Sequence, residues 1–242
     1  MNIRPAGDTA DILEKLLAPL QGRRILDIGC GRGNLLQALV ERGATVAGLD
    51  PDEVMLEVAQ TLAPSAALKQ GCAQLLPWGD ASMHAAIFLN SLHHVPIPDM
   101  LLALDEAARV VGKGGSVIVV ESLSEGSFFD ALRLIEDETE VRQAAQDAIV
   151  RARRRGIVSE IRQVEYDRIE AFPDAEAFLA RAVTIDPSRE ARAQAARGKL
   201  IARFEALSDH EKGGYVLHQP LRLHHLKVPI GPKPSVNPVM FG

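Results

Sequence analysis

Cysteine and long apolar runs are scarce in this sequence. Among its 242 residues only Cys30 and Cys72 are cysteines, which leaves no disulfide framework and no cysteine-rich zinc site to consider. Nowhere do about 18 apolar residues follow one another, and residues 1–15 carry acidic side chains and no apolar segment. We therefore expect a cytoplasmic chain, in a reducing compartment, without a signal peptide or a membrane span.

An excess of basic residues is also absent. The sequence has 27 Lys and Arg residues against 32 Asp and Glu residues, and its formal net charge of −5 at pH 7 offers no overall attraction to a phosphate backbone. Arginines do cluster at 151–155, but they follow the acidic residues of the same predicted helix, an order that complements the helix dipole. Nucleic acid is therefore not an expected partner, and the sequence carries no indication of the oligomeric state.

The composition is that of a globular protein, with 47% hydrophobic and 24% charged residues. Within residues 1–122 short apolar segments alternate with segments of helical spacing. Strands are predicted at 24–28, 45–49, 67–71, 85–90 and 116–121, and helices at 8–20, 34–42, 52–62 and 100–111. Because strands alternate with helices, we expect βαβ units with right-handed crossovers and a parallel sheet.

The pattern changes after residue 122. Helical spacing without proline or glycine covers 128–155, followed by a strand at 163–172, helices at 174–182 and 188–207, and a last strand at 214–228. We treat 1–242 as one domain with four parts: a ligand-binding half at 1–122, a helical cap at 123–160, closing strands and helices at 161–228, and a proline-rich tail at 229–242. The last two strands are expected to form an antiparallel pair.

The segment with the most chemical information runs from the first predicted strand into a turn with glycine at alternate positions, Gly29, Gly31 and Gly33. Glycine lets a ligand approach the backbone closely. The dinucleotide fingerprint would need glycine at position 34, where the sequence has Asn34, so pyrophosphate binding is disfavoured. Asp50 ends the second predicted strand, where an acid can accept hydrogen bonds from a ribose. The spacing therefore favours a nucleoside-like ligand at this turn.

Asp27-x-Gly29-x-Gly31-x-Gly33 followed by Gly48-Leu49-Asp50 resembles the motifs of class I S-adenosylmethionine-dependent methyltransferases. The segments 71–78, 90–95 and 109–115 are similar to the quinone-biosynthesis-type small-molecule branch of that family, and the resemblance runs from about Gly22 to Glu121. It implies an α/β, Rossmann-like, doubly wound and mostly parallel seven-stranded sheet, with an antiparallel last strand and a helical cap over the cofactor cleft. It also implies methyl transfer from S-adenosylmethionine to a small-molecule acceptor by in-line displacement.

The resemblance further implies which residues hold the cofactor. Asp27 and the glycine turn would hold the methionine end, Asp50 would accept from both ribose hydroxyls, and Cys72 stands where the family usually has an aspartate on the adenine amino group. A thiol is a weak acceptor, so the adenine contact is left open. The expected cofactor-binding residues are Asp27, Gly29, Cys30, Gly31, Gly33, Asp50, Pro51, Cys72, Ala73, Gln74 and Asn90.

His93 and His94 are the candidate catalytic residues, since imidazole titrates near neutrality and can orient an acceptor or take its proton. The other interpretation is that one of them packs or hydrogen-bonds a loop. A base is optional, because amine or thiolate acceptors arrive reactive, whereas a hydroxyl gains more from a histidine or from a tyrosine such as Tyr166 or Tyr215. No metal site is predicted. The histidines at 218, 224 and 225 lack a cysteine or carboxylate at ligand spacing, so they are expected to be exposed strand residues.

Several roles have two interpretations from the sequence. Trp78 either packs against the adenine or completes the core. The cap and the helices at 174–207 are expected to form the acceptor pocket, which Phe128, Phe129 and Leu132 either line or merely support by packing. No role is assigned to His84. The alternative functions are an S-adenosylmethionine-binding protein without turnover, a transferase of another group from the same cofactor, and an NAD or nucleotide-sugar enzyme, the last disfavoured by Asn34.

Overall fold

The computed structural model of the protein describes residues 4–185, 187–211 and 213–231, so most of the predicted tail at 229–242 lies outside the described residues. The described helices are α1 (Thr9–Leu17), α2 (Asn34–Glu41), α3 (Glu53–Leu62), α4 (Met100–Val111), α5 (Ser127–Leu132), α6 (Thr139–Arg154), α7 (Ala175–Ile185), α8 (Glu190–Ala195) and α9 (Arg197–Leu207). The strands are β1 (Arg24–Ile28), β2 (Thr45–Asp50), β3 (Ala67–Gln70), β4 (Ala85–Leu89), β5 (Ser116–Ser122), β6 (Ser159–Phe172), β7 (Asp209–Glu211) and β8 (Gly214–Lys227).

The strands form one sheet in the order β3-β2-β1-β4-β5-β8-β6, with β7 paired to β8 beside this path. β1 to β5 pair in parallel, and the register places Asp27 opposite Gly48 on β2 and Ile87 on β4. β8 runs antiparallel to β5, because the Leu123 N–H donates to the Pro220 carbonyl at one end and the Val228 N–H donates to the Gly115 carbonyl at the other. The predicted mostly parallel Rossmann-like sheet with an antiparallel last strand is confirmed, but the described sheet has eight strands instead of seven because the short β7 pairs with β8.

Strand order reverses between β1 and β4, since β2 and β3 lie on one side of β1 while β4 and β5 lie on the other. In open α/β sheets, ligands bind outside the carboxyl ends of the strands at such a switch point. The glycine turn that follows β1 and the residues that follow β4 both lie at this point. The topology therefore selects the same edge of the sheet as the sequence motifs.

The chain divides into two compact units. Among the described residues, the sheet unit comprises 9–121, 144–164 and 223–231, and the second unit comprises 4–8, 122–143 and 165–222. In the sheet unit, buried side chains from one face of the parallel strands pack against α4 and the buried face of α6. β1, β4 and β5 are buried over almost their whole length because both faces of a parallel sheet are covered. This unit contains the candidate site.

The second unit has an aromatic core of its own. Phe128, Phe172, Phe178 and Phe204 are buried, with ring centroids between 4.8 and 6.3 Å apart in the contacting pairs. Phe128 and Leu132 belong to this core, and Phe129 is buried with the guanidinium groups of Arg133 and Arg142 at 5.8 and 5.0 Å from its ring centroid. Packing within the unit therefore accounts for the three α5 side chains that the sequence offered as pocket residues.

The single helix predicted at 128–155 is wrong. It is interrupted between α5 and α6 by Asp137, whose carboxylate accepts the Thr139 N–H at 3.0 Å and the Thr139 hydroxyl at 2.5 Å. These hydrogen bonds, with a further one from Arg133, lower the pKa of Asp137 to about 2. A side chain that satisfies the first N–H groups starts a new helix without needing proline or glycine. The cap assigned to 123–160 stays a prediction.

Other boundaries also differ from the sequence patterns. The helix predicted at 188–207 is two helices, α8 and α9, which meet at Ala196. β7 was not predicted, because its three residues Asp209–Glu211 are all exposed and polar and form a strand only by pairing with the start of β8. In the part of the chain that the structure describes, no helix is both long and apolar enough to cross a bilayer.

Candidate active site

The glycine turn that follows β1 is anchored to β2. The N–H groups of Gly29 and Cys30 both donate to the Leu49 carbonyl, at 2.7 and 2.9 Å. Gly29, Gly31 and Gly33 have positive φ angles of 77°, 49° and 86°, a region that residues with a Cβ rarely adopt. This explains why the turn needs glycine at alternate positions.

The three glycines differ in what surrounds them. A Cβ on Gly29 would lie 2.5 Å from the Ser91 Cβ, and one on Gly33 would lie 2.9 Å from the Ala59 Cα. Close packing therefore requires glycine at both positions. A Cβ on Gly31 would meet no described atom within 4 Å. Gly31 is therefore the position at which the turn leaves room beside the backbone for a ligand.

Asp50, at the carboxyl end of β2, holds this turn. The residue is 8% exposed, its Oδ2 accepts the Gly31 N–H at 2.8 Å, and its Oδ1 accepts the Asp52 N–H at 3.0 Å. Asp52 in turn caps α3 by accepting the Val54 N–H at 2.8 Å. A carboxylate has about four lone-pair sites, so Asp50 keeps acceptor capacity beyond these two bonds.

Asp27 is the second carboxylate at the turn and is 2% exposed. Its Oδ1 has no hydrogen-bond partner among the described residues. Burial, and then the charge of Asp50, raise the pKa of Asp27 from 3.8 to about 7. An unsatisfied buried carboxylate oxygen is costly to a fold, and perturbed carboxyl groups of this kind cluster at functional sites.

Cys30 is buried beside the two carboxylates. Burial, followed by the charges of Asp27 and Asp50, raises the pKa of the Cys30 thiol well above its ordinary range. The thiol packs towards β2, since a Cβ on Gly48 would lie 2.9 Å from Cys30 Sγ. Cys30 is therefore an unreactive packing residue, and its part in the turn is played by its backbone.

The loop at 72–78, expected near the adenine, is held by an ion pair on α4. Glu106 accepts the Leu76 N–H at 2.8 Å, and Arg109 donates to the carbonyls of Leu76 and Trp78 at 3.0 and 2.9 Å. Hydrogen bonding to Arg109 is the largest cause that lowers the pKa of Glu106. In this loop Cys72 is exposed, Ala73 is buried and Gln74 is half-buried. The sequence motif contained Arg109 but did not reveal this supporting role.

Trp78 packs on the core of the sheet unit, with the Lys69 ammonium 5.1 Å from its ring centroid. The core-packing interpretation therefore accounts for this side chain.

His93, in the short turn after β4, is tied to β5. It is 5% exposed, and its Nδ1 lies 2.5 Å from Oε2 of Glu121, a fully buried residue. Glu121 Oε1 also accepts the Leu92 and His93 N–H groups at 3.0 and 3.3 Å. The His93 and His94 rings are 4.1 Å apart. Sequence reasoning missed Glu121 as a site residue, although an acid inside an otherwise apolar strand was the available signal.

Asn90 links β4 to this turn and has a positive φ of 51°. Its N–H donates to the Val120 carbonyl at 2.8 Å, while the next residue, Ser91, donates its hydroxyl to the Ile28 carbonyl at 2.5 Å. A left-handed conformation is uncommon for a residue other than glycine, and such residues occur often at functional sites. The structure therefore brings Asn90 to the switch point, as the strand-end position predicted.

The histidines outside this region have structural partners. The Nδ1 atom of His84 accepts the Arg24 N–H at 2.9 Å, and burial lowers the pKa of the His84 imidazole. The expectation that the last three histidines are exposed is wrong for His224 and His225, because β8 lies between β5 and β6. His224 Nδ1 lies 2.5 Å from Glu160 and its Nε2 lies 2.9 Å from Gln146.

His225 Nε2 lies 3.0 Å from the Ser116 hydroxyl, and burial lowers the pKa of His225 to about 4. His218 is partly exposed and lies 3.4 Å from Asp209. Of the two candidate tyrosines, Tyr166 is buried and Tyr215 is half-buried, both in the second unit.

Comparison with known proteins agrees with this geometry. Residues 25–115 match the family described as a methyltransferase domain. An uncharacterized methyltransferase of Mycobacterium tuberculosis is 38% identical over 104 residues, which cover 43% of this chain and 42% of that protein. The ubiquinone biosynthesis O-methyltransferase of Paracidovorax citrulli is 39% identical over 107 residues, which cover 42% of this chain and 44% of that protein. The match thus spans less than half the length of these relatives.

Solved structures resemble a larger part of the chain. The YcgJ protein of Bacillus subtilis has a TM-score of 0.63 at 20% identity, covering 92% of this chain and 98% of that one. The cyclase SpnF has a TM-score of 0.58 at 17% identity, covering 92% and 81%. At such identities the likeness shows the fold alone. Residues 25–115 thus match a methyltransferase domain in sequence, and the solved structures show that the chain shares their fold.

Proposed function

We propose that the protein is an S-adenosylmethionine-dependent methyltransferase that transfers a methyl group to a small-molecule acceptor by in-line displacement. One observation carries the proposal: Asp27 and Asp50 flank an open Gly31 turn, and one buried Asp27 oxygen has no described partner. That arrangement lies inside a methyltransferase domain. It fits a ligand with a cationic amino-acid end and a ribose better than a phosphate, which two carboxylates would repel.

The residues at the turn suit the parts of this cofactor. The cofactor supplies an electrophilic methyl group on a sulfonium. Asp27 offers its unpartnered oxygen to the ammonium of the methionine end, and the absence of a side chain at Gly31 leaves the backbone accessible. Asp50 offers its remaining acceptor capacity to the ribose hydroxyls. Pro51 and the loop at 72–74 are the remaining candidates for contacts with the adenine. Because the Cys72 thiol is a weak hydrogen-bond acceptor, the Ala73 backbone and the polar side chain of Gln74 would bind the ring in its place.

The His93–Glu121 pair suits proton transfer from a hydroxyl acceptor. A carboxylate at Nδ1 fixes the imidazole tautomer and orientation and stabilises the imidazolium that would form. Asn90 and His94 lie beside this pair at the same strand end. General base catalysis of this kind contributes about 10²–10⁴-fold to a rate. Relatives named as ubiquinone biosynthesis O-methyltransferases support a small molecule as the class of acceptor. The identity of the acceptor is not inferred from them.

The test combines cofactor binding with acceptor-dependent turnover. Purified protein is titrated with S-adenosylmethionine by calorimetry and then incubated with fractionated small molecules and methyl-labelled cofactor. We expect a bound cofactor and one product class that gains a labelled methyl group, detected by mass spectrometry. Asp27→Ala should weaken cofactor binding by tenfold or more, since loss of a hydrogen bond to a charged group costs about 1.5–3 kcal/mol.

Glu57→Gln, on the exposed face of α3, is the matched carboxylate control and should bind as the unmodified protein does. Absence of cofactor binding would refute the proposal. Binding without any methylated product would favour the alternative of an S-adenosylmethionine-binding protein without turnover.

A further inference from the structure

We propose that binding of an S-adenosyl cofactor at the glycine turn displaces a proton from Asp27 to solvent, so that cofactor affinity rises with pH. The inference rests on the proposed function, because it needs the cofactor to bind at this turn. It adds a property that cofactor binding alone does not require: the release to the buffer of up to one proton for each cofactor bound.

The geometry distinguishes the two carboxylates. Both are buried, but Asp50 is satisfied by two backbone N–H donors, whereas Asp27 Oδ1 has no donor among the residues described. Two carboxylates at one buried site do not both ionise readily, and the one with fewer donors keeps the proton. In the free protein below neutral pH, Asp27 therefore holds the proton.

Among the described residues, no cation contributes to the pKa shift of Asp27. On the β2 side the nearby ionisable group is Asp50, and on the turn it is the Cys30 thiol, which the two carboxylates also affect. On the β4 side the residue opposite Asp27 is the apolar Ile87. Burial and Asp50 together raise the pKa of Asp27 to about 7, so the change of charge falls in a range that binding experiments can reach.

The cofactor brings the missing cation. When its ammonium approaches, the O–H bond of Asp27 breaks, the proton passes to the buffer, and the carboxylate accepts an N–H of the ammonium. An opposite charge at this distance favours the ionised carboxylate. Below pH 7 binding must also include the cost of removing this proton, and the apparent affinity falls accordingly.

The test uses S-adenosylhomocysteine, which carries the same ammonium, and adenosine, which has the ribose and base but no charge. Titration calorimetry is done at pH 5.5 and 7.0, below the usual α-amino pKa of about 7.7–8.0, in two buffers of different ionisation enthalpy. We expect the S-adenosylhomocysteine affinity to rise about 15-fold between these pH values, with about half a proton released at pH 7.0. Adenosine affinity should not change with pH.

Asp27→Asn should bind S-adenosylhomocysteine more weakly and with no pH dependence, whereas Glu57→Gln should keep the full dependence. Circular dichroism checks that Asp27→Asn is folded, and if it is not, the comparison of the two ligands on unmodified protein decides. Equal pH dependence for both ligands, or proton release that persists in Asp27→Asn, would overturn the inference and leave the proposed function standing. Failure of both S-adenosylmethionine and S-adenosylhomocysteine to bind would refute the proposed function itself.

Discussion

Replacing Asp27 by Asn should stabilise the unliganded protein at alkaline pH and have little effect in acid. The pKa of Asp27 rises from 3.8 to about 7 on folding, mainly through burial. Because the pKa of Asp27 is higher in the folded protein than in the unfolded chain, its contribution to the free energy of unfolding is fully present below pH 3.8. That contribution is lost as the pH rises towards 7. A shift of about three pKa units corresponds to roughly 4 kcal/mol. Because the amide remains a buried polar group, we expect Asp27→Asn to gain about 2–4 kcal/mol at pH 8.

The measurement is urea unfolding of both proteins at pH 4.5, 6.0 and 8.0. Every other titrating group is shared by the two proteins, so the difference in unfolding free energy isolates Asp27. We expect the difference to grow with pH and to level off above pH 7.5. Glu57→Gln, which replaces an exposed carboxylate, should show a difference near zero throughout. A difference between Asp27→Asn and the unmodified protein that is the same at pH 4.5 and 8.0 would show that Asp27 is ionised in the fold without cost.

Three further substitutions test other parts of the site. Gly33→Ala should lower the unfolding free energy by about 2 kcal/mol or more, measured by urea denaturation, because a Cβ would approach Ala59 to 2.9 Å at a positive φ. Glu121→Gln should slow methyl transfer by about 10²-fold and shift its pH profile, with unchanged S-adenosylhomocysteine affinity, because it alters the proton position on the paired imidazole. Arg109→Ala should speed hydrogen exchange at the Leu76 amide, since the 72–78 loop loses the ion pair that holds it.

Each of these has a matched comparison. Gly31→Ala has the same kind of backbone strain but open space around its Cβ, so it should be less destabilising than Gly33→Ala; equal losses would contradict the packing argument. Glu121→Asp should restore part of the rate, and a rate unaffected by Glu121→Gln would remove His93 from proton transfer. In Arg109→Lys the Leu76 amide should exchange hydrogen faster than in the unmodified protein, because lysine cannot donate to both loop carbonyls and Glu106 at once.

The parallel half of the fold could be predicted because its signals are local. The residues of β1 and α4 were predicted with their observed bounds, since an apolar run before a glycine turn and a regular helical spacing need no distant partner. Predictions failed where a side chain altered the backbone, as at Asp137, or where pairing alone made a strand, as in β7. Those features depend on hydrogen bonds that the spacing of apolar residues in the sequence does not reveal.

The candidate site divides in the same way. The order of residues determined that an acid precedes the glycine turn and that another acid ends β2, because the motif spacing and the strand ends are properties of the chain. Tertiary structure decided that Asp27 keeps a buried oxygen without a described donor, that Glu121 reaches His93, and that β8 buries His224 against Glu160. These facts depend on which strands lie side by side. Residues far apart in the chain find their hydrogen-bond partners and have their pKa values shifted only when the sheet brings them together.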